Sequence, residues 1–140
     1  MANIVPDSFK QELFLATHNF NTTSGNTFKL ALYTTVSGFS TGTTNYITTN
    51  EASGTGYSAG GTTLVNSTVT VAQNISFVSF NNATFSTATL TASCCLIYNN
   101  TQSNKAVVVL DFGGSRTSTN GDFTIQFPTA NSTSAVLRIS

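Results

Sequence analysis

The side chains that could perform acid–base or nucleophilic chemistry are few. The chain has one histidine, two cysteines and five carboxylates among 140 residues. His18 is distant in sequence from Cys94 and Cys95, so the sequence shows neither a nucleophile–histidine arrangement nor the clustered ligands of a zinc site. Asp111 lies in an apolar run, where it is either a carboxylate with a perturbed pKa or a strand-end residue that bonds the next turn. We therefore expect no enzyme activity, no catalytic residue, no cofactor and no metal site.

The stretch NEASGTGYSAGGTTL, residues 50–64, is the most glycine-rich part of the chain. Its glycines have neither the spacing of a dinucleotide site nor the Lys-Ser/Thr of a phosphate loop, and β-branched residues follow instead of a helix. The sequence therefore predicts either a corner between strands or a docking loop, with Tyr57 packed back on the sheet. The candidate interaction residues of this stretch are Glu51, Gly54, Gly56, Tyr57, Gly60 and Gly61.

The two cysteines are adjacent, and neighbouring residues of a strand point to opposite faces of the sheet. A disulfide between them would be strained. We expect two reduced thiols, one buried and one on the outer face, as is typical of a chain folded in the cytosol.

The composition predicts a globular chain with an uncharged surface. Only 7% of the residues are charged and the formal net charge is +0, whereas about 25% of residues are charged in typical soluble proteins. Five Lys and Arg do not make a basic patch, so we expect no nucleic-acid partner and no membrane partner. The N-terminus also lacks the pattern of a signal peptide. A surface of hydroxyls and amides without charge repulsion favours self-association.

The first 20 residues predict a short helix within an N-terminal arm. Ser8 and Gln11 have the spacing of a capping box, and His18 is expected at the end of the helix. Because Phe14 and Leu15 lie off the apolar stripe, we expect this helix to be covered on more than one side. The arm, over about residues 1–20, either packs on a neighbouring copy or covers its own domain. The residues that would make these contacts are Ile4, Val5 and Phe9.

Alternating apolar and polar residues after Thr27 predict a series of strands separated by turns. The strand segments are TFKLALYTT, TLVNSTVTV, ISFVSF, ATLTASCCLIYN, KAVVVLDF, DFTIQF and AVLRI. KAVVVLDF is almost wholly apolar, which indicates a strand covered on both faces. The pattern predicts one all-β domain over residues 1–140, an antiparallel β-sandwich or jelly-roll-like barrel with a short N-terminal α-helix.

The second half of the chain carries more detailed expectations. In ATLTASCCLIYN we expect Leu90, Ala92, Cys94 and Leu96 on one face, and in DFTIQF we expect Phe123, Ile125 and Phe127 to point the same way. GGSRTSTNGD is predicted to link two strands. The segment from about residue 88 to residue 127 is then a three-stranded antiparallel meander without an unusually long hairpin.

Several segments together resemble a family of small virion proteins of tailed bacteriophages. They are SFKQEL, TFKLALYT, NEASGTGYSAGG, CLIYNNTQSNKAVVVLDFGGSRTSTNGDFTIQFP and the terminal AVLRI. The resemblance runs over nearly the whole chain and implies a capsid decoration, or cement, protein that braces the phage major capsid protein from outside the shell. It also implies a homo-oligomer, a trimer in our expectation, in virions assembled in the bacterial host cytoplasm. It implies no catalytic residues.

Two alternatives remain at this point. The first is a tail, neck or fibre-associated virion protein, against which the expected absence of a long hairpin counts, because tail tubes generally need one. The second is a β-sandwich that binds carbohydrate or a host surface, with tyrosines stacked on sugars. The tyrosines are Tyr33, Tyr46, Tyr57 and Tyr98.

Overall fold

The computed structural model describes residues 3–140 and contains one short helix and two antiparallel sheets. The elements are α1 (Asp7–Phe14), β1 (Phe28–Tyr33), β2 (Thr62–Thr63), β3 (Thr68–Ala72), β4 (Ile75–Ser79), β5 (Ala83–Asn99), β6 (Lys105–Ile125) and β7 (Leu137–Ile139). The first sheet has the strand order β2-β1-β5-β6 and the second has the order β3-β4-β7. The predicted all-β sandwich with a short N-terminal helix is therefore confirmed. Over the described residues the strands do not close into a barrel.

The first core lies between the two sheets. Phe28, Leu30 and Leu32 alternate along β1 and point into this core, and Val78 of β4 contacts it from the second sheet. Leu64 is buried here as well, at the break between β2 and β3, where TLVNSTVTV is predicted to form one strand. Burial of this apolar surface between the sheets is the main stabilising contribution to the fold.

The outer face of the first sheet carries a second core. Ala31 and Tyr33 of β1 are buried there, and the segment 36–47 covers them with Phe39 and neighbouring apolar side chains. The apolar run Ala106–Val109 is buried over its whole length between the two cores. The predicted covering of this strand on both faces is therefore confirmed.

Both cysteines are buried as free thiols, which corrects the expectation that one of them faces outward. Cys94 lies in the second core and Cys95 lies in the first, so the two side chains do point to opposite faces. The outer face is itself covered, and for that reason neither thiol reaches solvent. Burial raises the pKa of the Cys94 thiol to about 11 and also raises the pKa of Cys95. Both thiols are therefore protonated at neutral pH.

A β-bulge divides the predicted face of β5. Leu90 and Ala92 lie in the first core, whereas Cys94 and Leu96 lie in the second, so the expectation that all four share one face is wrong. The register of β5 against β6 shifts between Ala92 and Cys94. Two residues of β5 correspond there to five residues of β6, from Arg116 to Asp111, and beyond this irregularity Cys94 and Leu96 face the second core.

Strands β5 and β6 form one long hairpin, and two predictions are corrected by it. The segment 113–122, GGSRTSTNGD, does not link two strands but lies inside β6, which is 21 residues long. The hairpin runs from the turn at residues 100–104 to the pair Ala83↔Ile125 at its far end. The predicted meander is therefore two strands, and the expectation of no unusually long hairpin is wrong.

Helix α1 is shorter than the predicted arm and begins differently. Its N-cap is Pro6, which makes no side-chain capping bond. The predicted capping box is wrong, because the Ser8 hydroxyl donates to the Thr43 carbonyl oxygen at 3.2 Å instead. The helix ends at Phe14, and residues 1 and 2 of the predicted arm lie outside the described residues.

Substitution of Phe123 tests the inward face of the last part of β6. Phe123 is 7% exposed in the first core, as the alternation predicts, so we expect Phe123→Ala to lower the free energy of unfolding by about 3–5 kcal/mol. Gln126→Ala, at an exposed position, is the control and should change it by less than about 0.5 kcal/mol. Urea unfolding measures both values, and equal effects of the two substitutions would contradict the assignment of the core.

Candidate functional site

The glycine loop, residues 50–61, lies along the edge of the first sheet. At its start Glu51 forms an antiparallel bridge with Tyr33, the last residue of β1. Further on, Thr55 forms a bridge with Thr89 of β5. Strand β1 ends at Tyr33, and beyond this point the glycine loop lies beside β5 in its place.

The carboxylate of Glu51 holds the glycine loop closed. It accepts hydrogen bonds from the Tyr46 hydroxyl at 2.6 Å, from the Tyr57 hydroxyl at 2.7 Å and from the Gly60 N–H at 2.7 Å. The Tyr57 hydroxyl in turn accepts from the Leu32 N–H at 3.0 Å, so this side chain anchors the loop to the sheet as predicted. Burial, and after it the bond to Glu51, raises the pKa of both tyrosines, which keeps their hydroxyls as donors.

The glycines of this loop allow its backbone to touch the sheet. A Cβ on Gly61, where φ is +76°, would lie 1.8 Å from the Leu30 carbonyl oxygen. A Cβ on Gly54 would lie 2.1 Å from the Thr89 carbonyl oxygen, and one on Gly56 would also meet the backbone of β5. Contacts this short exclude a side chain. The corner interpretation therefore accounts for all six candidate residues of the loop.

The three arm residues pack on their own chain. Ile4 exchanges two backbone hydrogen bonds with Val109, at 2.9 and 2.8 Å, and so covers part of the free edge of β6. Val5 packs against the first core, and Phe9 is buried within it. All three residues therefore contact their own domain.

A buried polar network lies beneath α1 and was missed in the sequence. The helix ends before His18, so the expectation that His18 caps its C-terminus is wrong. The His18 side chain has 0% exposure, and its Nε2 lies 2.6 Å from Glu12 Oε2. Its Nδ1 lies 3.0 Å from Nδ2 of Asn99, and the Lys105 ammonium donates to Glu12 at 3.2 Å. Glu12 and His18 are six residues apart, but Asn99 and Lys105 are distant from both in sequence, so no local pattern shows the whole network.

The orientation of the Asn99 amide fixes the protonation of His18. Asn99 Oδ1 accepts from the backbone N–H groups of Thr101 and Gln102, at 3.1 and 3.2 Å, so its Nδ2 faces the histidine as a donor. Nδ1 of His18 must then be the acceptor, and Nε2–H donates to Glu12. This neutral tautomer satisfies every atom of the network. Burial lowers the pKa of His18 against the opposing effect of Glu12.

The tyrosines do not form a sugar-stacking surface. Tyr33 and Tyr98 are buried at 0% and 2% exposure. Tyr98 donates to the Gly60 carbonyl oxygen at 2.6 Å and stacks on Tyr46 with ring centroids 4.9 Å apart. The carbohydrate-binding alternative therefore lacks the pair of free tyrosines that would stack on a sugar.

Several large apolar side chains of α1 and the second sheet are exposed, which the sequence did not reveal. Phe14 is 95% exposed and Leu15 is 68% exposed, so the expectation that α1 is covered on more than one side is wrong. Val69, Val71 and Ile139 of the second sheet are also more than half exposed. A groove of about 600 Å³ runs between α1 and this sheet. An apolar surface of this kind marks an interaction site.

Comparison with known proteins gives no relative: no family model, no curated protein and no solved structure matches this chain. Across residues 3–140, no helix is long and apolar enough to cross a membrane. The same residues contain no group of three or more His, Cys, Asp or Glu side chains that could hold a metal ion. The candidate site is the exposed apolar surface beside α1.

Two glycines with nearly equal φ allow the cost of backbone strain to be measured separately from the cost of a steric contact. Gly61 and Gly113 have φ of +76° and +78°, but a Cβ on Gly113 would have no neighbour within 4 Å. We expect Gly113→Ala to destabilise the protein by about 1–2 kcal/mol through its backbone angle alone. Gly61→Ala should cost about 1–3 kcal/mol more, because of its contact with Leu30. Chemical unfolding checks this order, and equal costs would refute the close packing of the glycine loop.

The buried histidine predicts a loss of stability in mild acid. Because its pKa is lowered on folding, the unfolded chain binds the extra proton, so stability falls as the pH drops below about 6.5, the ordinary pKa of histidine. The slope reaches at most about 1.4 kcal/mol per pH unit for one proton. His18→Gln can keep both hydrogen bonds without titrating, and unfolding curves between pH 7.5 and 5 should show a flatter slope. An unchanged slope would show that His18 does not control it.

Proposed function

We propose that this chain is a non-enzymatic structural protein of a tailed-phage virion, where it acts as a capsid decoration protein on the outside of the shell. Its partners in this proposal are the phage major capsid protein and further copies of itself, as a homo-oligomer and specifically a trimer. The proposal starts from the resemblance of segments such as NEASGTGYSAGG and KAVVVLDFGG to small virion proteins.

The observation that carries the proposal is an apolar surface on an almost uncharged protein. Phe14, Leu15 and Ile139 project into solvent, and only 7% of the residues carry charge. Little electrostatic repulsion opposes contact between copies or with a shell. A protein that works by occupying an interface needs a surface of this composition.

A rigid body supports the same role. The first sheet is buried on both faces, and the loops that cover it are held by bonds such as those of Glu51. A stiff module loses little conformational freedom on binding, so more of the contact energy is retained. A standard interface of about 1,600 Å² gives stable binding, and many copies acting across capsomer seams raise the force or heat needed to rupture a shell.

A tail component is the second candidate, and the long β5–β6 hairpin favours it, because tail tubes generally need such hairpins. Against it, the far half of the hairpin is occupied within its own chain. Phe85 and Phe123 form a directly paired position there and both lie in the first core. The hairpin therefore does not project as a free arm, and we place the decoration role first.

Quantitative mass spectrometry of separated heads and tails tests the proposal. We expect this protein in the head fraction, at hundreds of copies in simple proportion to the major capsid protein. Particles that lack it should lose heat resistance while their tails remain intact.

Other distributions would overturn the decoration role. Recovery in the tail fraction would favour the second candidate, and a handful of copies would indicate a neck or fibre position. Absence from particles would refute a virion role altogether.

A further inference from the structure

The N-terminal segment, residues 3–18, lies outside both sheets. In the described part of the chain, its strand pairing is limited to the bridge between Ile4 and Val109 at the edge of β6. Two further hydrogen bonds, at 2.8 and 3.2 Å, run from the start of α1 to the carbonyl oxygens of Thr41 and Thr43. The sheets therefore do not need this segment to complete their own ladders.

The chain is fixed again directly after this segment. Within the segment, Phe9 and Leu13 pack in or against the first core. Beyond it, the Phe20 ring stacks on Phe28 with ring centroids 4.4 Å apart, and the Phe20 carbonyl oxygen accepts from the Ser67 hydroxyl at 2.6 Å. Because Phe20 is held by the sheets, the N-terminal segment can move as a unit relative to the residues that follow it.

The buried network beneath α1 is divided between the N-terminal segment and the β5–β6 hairpin. Glu12 and His18 belong to the segment, whereas Asn99 and Lys105 belong to the hairpin. His18 Nε2 and Glu12 Oε2, 2.6 Å apart, make their contact within the segment. Two contacts of the network cross to the hairpin: His18 Nδ1 with Asn99 Nδ2 at 3.0 Å, and Glu12 Oε1 with Lys105 Nζ at 3.2 Å. The carboxylate that favours a proton on His18 therefore moves with the segment.

A protonated His18 does not fit the closed arrangement. Both ring nitrogens would then be donors, so Nδ1–H would face the Nδ2 donor of Asn99. The amide cannot turn, because its Oδ1 already accepts from the backbone N–H groups of Thr101 and Gln102. The Lys105 ammonium adds like-charge repulsion. Both contacts of the network with the hairpin thus oppose the proton.

The charged groups that face His18 in the described part of the chain are Glu12 on α1 and Lys105 on β6. Strand β5 contributes the neutral amide of Asn99, and two phenylalanine rings lie near the imidazole at centroid distances of 4.9 and 6.5 Å. Glu12 shares its carboxylate between the histidine and the lysine. Burial outweighs the attraction of Glu12 and lowers the pKa of His18.

We propose that protonation of His18 opens the contact between the N-terminal segment and the β5–β6 hairpin while both sheets remain folded. In the open segment the imidazole is hydrated and keeps Glu12 beside it, so it binds a proton more readily than in the closed arrangement. Opening therefore takes up a proton, and the open population rises as the pH falls below about 6.5, the ordinary pKa of histidine. For one proton the rise is at most about tenfold per pH unit.

This opening is a smaller event than global unfolding. It breaks the contacts of the N-terminal segment but leaves the pairing of β1 with β5 and of β5 with β6 intact. Partial opening of this kind costs less free energy than unfolding of the whole chain. It uncovers the edge of β6 at Val109 and the part of the first core beneath Phe9. The fold thus contains a pH-dependent cover, which is separate from the proposed virion role.

Hydrogen exchange of the full chain between pH 7.5 and 5 tests the proposal, with each rate corrected for the intrinsic effect of pH on exchange. The matched control is His18→Gln, which can keep both hydrogen bonds without titrating. A second variant, Asn99→Asp, keeps an acceptor for the two backbone N–H groups and gives Nδ1–H a carboxylate. It loses the bond from Asn99 to Asn26 at every pH, so the sign of its slope is the readout.

In the wild-type chain we expect the amides of α1 to be less protected than those of β1 and β5 at every pH. Their protection should fall by up to about tenfold per pH unit below pH 6.5. His18→Gln should remove this slope from α1. Asn99→Asp should reverse it, because a histidine whose pKa is raised in the closed state stabilises that state below its pKa.

Each other outcome overturns the inference. Equal protection of α1 and the strands would mean that the segment leaves only when the whole chain unfolds. Protection of α1 that does not change with pH, or the same slope in His18→Gln, would show that His18 does not control the opening. These measurements use the isolated chain, so they stand whether or not the protein is found in heads.

Discussion

The burial on both faces of the part of the first sheet formed by β1, the end of β5 and the start of β6 is the constraint on which the rest of the structure depends. Leu30 and Leu32 point from β1 into one core, while Ala31 and Tyr33 point into the other. A sheet with two apolar faces must be covered twice, and a chain with one short helix has little regular structure for that purpose. The second sheet and α1 cover one face, and the segment 36–47 together with Ile4 covers the other.

Segments without regular secondary structure that cover the sheet must provide hydrogen-bond partners for their own polar groups, because burying a polar group without a partner is costly. Glu51 does this for the glycine loop by accepting three hydrogen bonds. Asn99 does it for the hairpin turn, and through His18 it joins that turn to α1. In the described part of the chain no buried side-chain nitrogen or oxygen is left without a partner. The side chains of Glu51 and His18 are thus engaged in hydrogen bonds that hold the covering segments in place.

The sequence predicts those features that depend on local pattern. Alternation along β1 and the inward set that includes Phe123 follow from a period of two, and the run Ala106–Val109 indicates a strand covered twice. The irregularity after Ala92 is not predicted, because its place depends on which residues of β6 pair with β5. The glycines at 113 and 114 are typical of a turn, yet they lie within β6, where its pairing with β5 is interrupted between Asp111 and Arg116. The role of His18 depends on Asn99, which is distant in sequence, as well as on Glu12, and no local pattern contains both.

The exposed apolar surface follows from the same covering of the sheet. Val78 and Leu137 pack over the first core, whereas Val69, Val71 and Ile139 on the same face are more than half exposed. A flat cover that is longer than the core beneath it leaves apolar side chains at its end, beside α1. Such a surface lowers the solubility of an isolated molecule, and burial against a second surface removes this effect. These exposed apolar side chains are the physical reason to seek this protein's function in an interface.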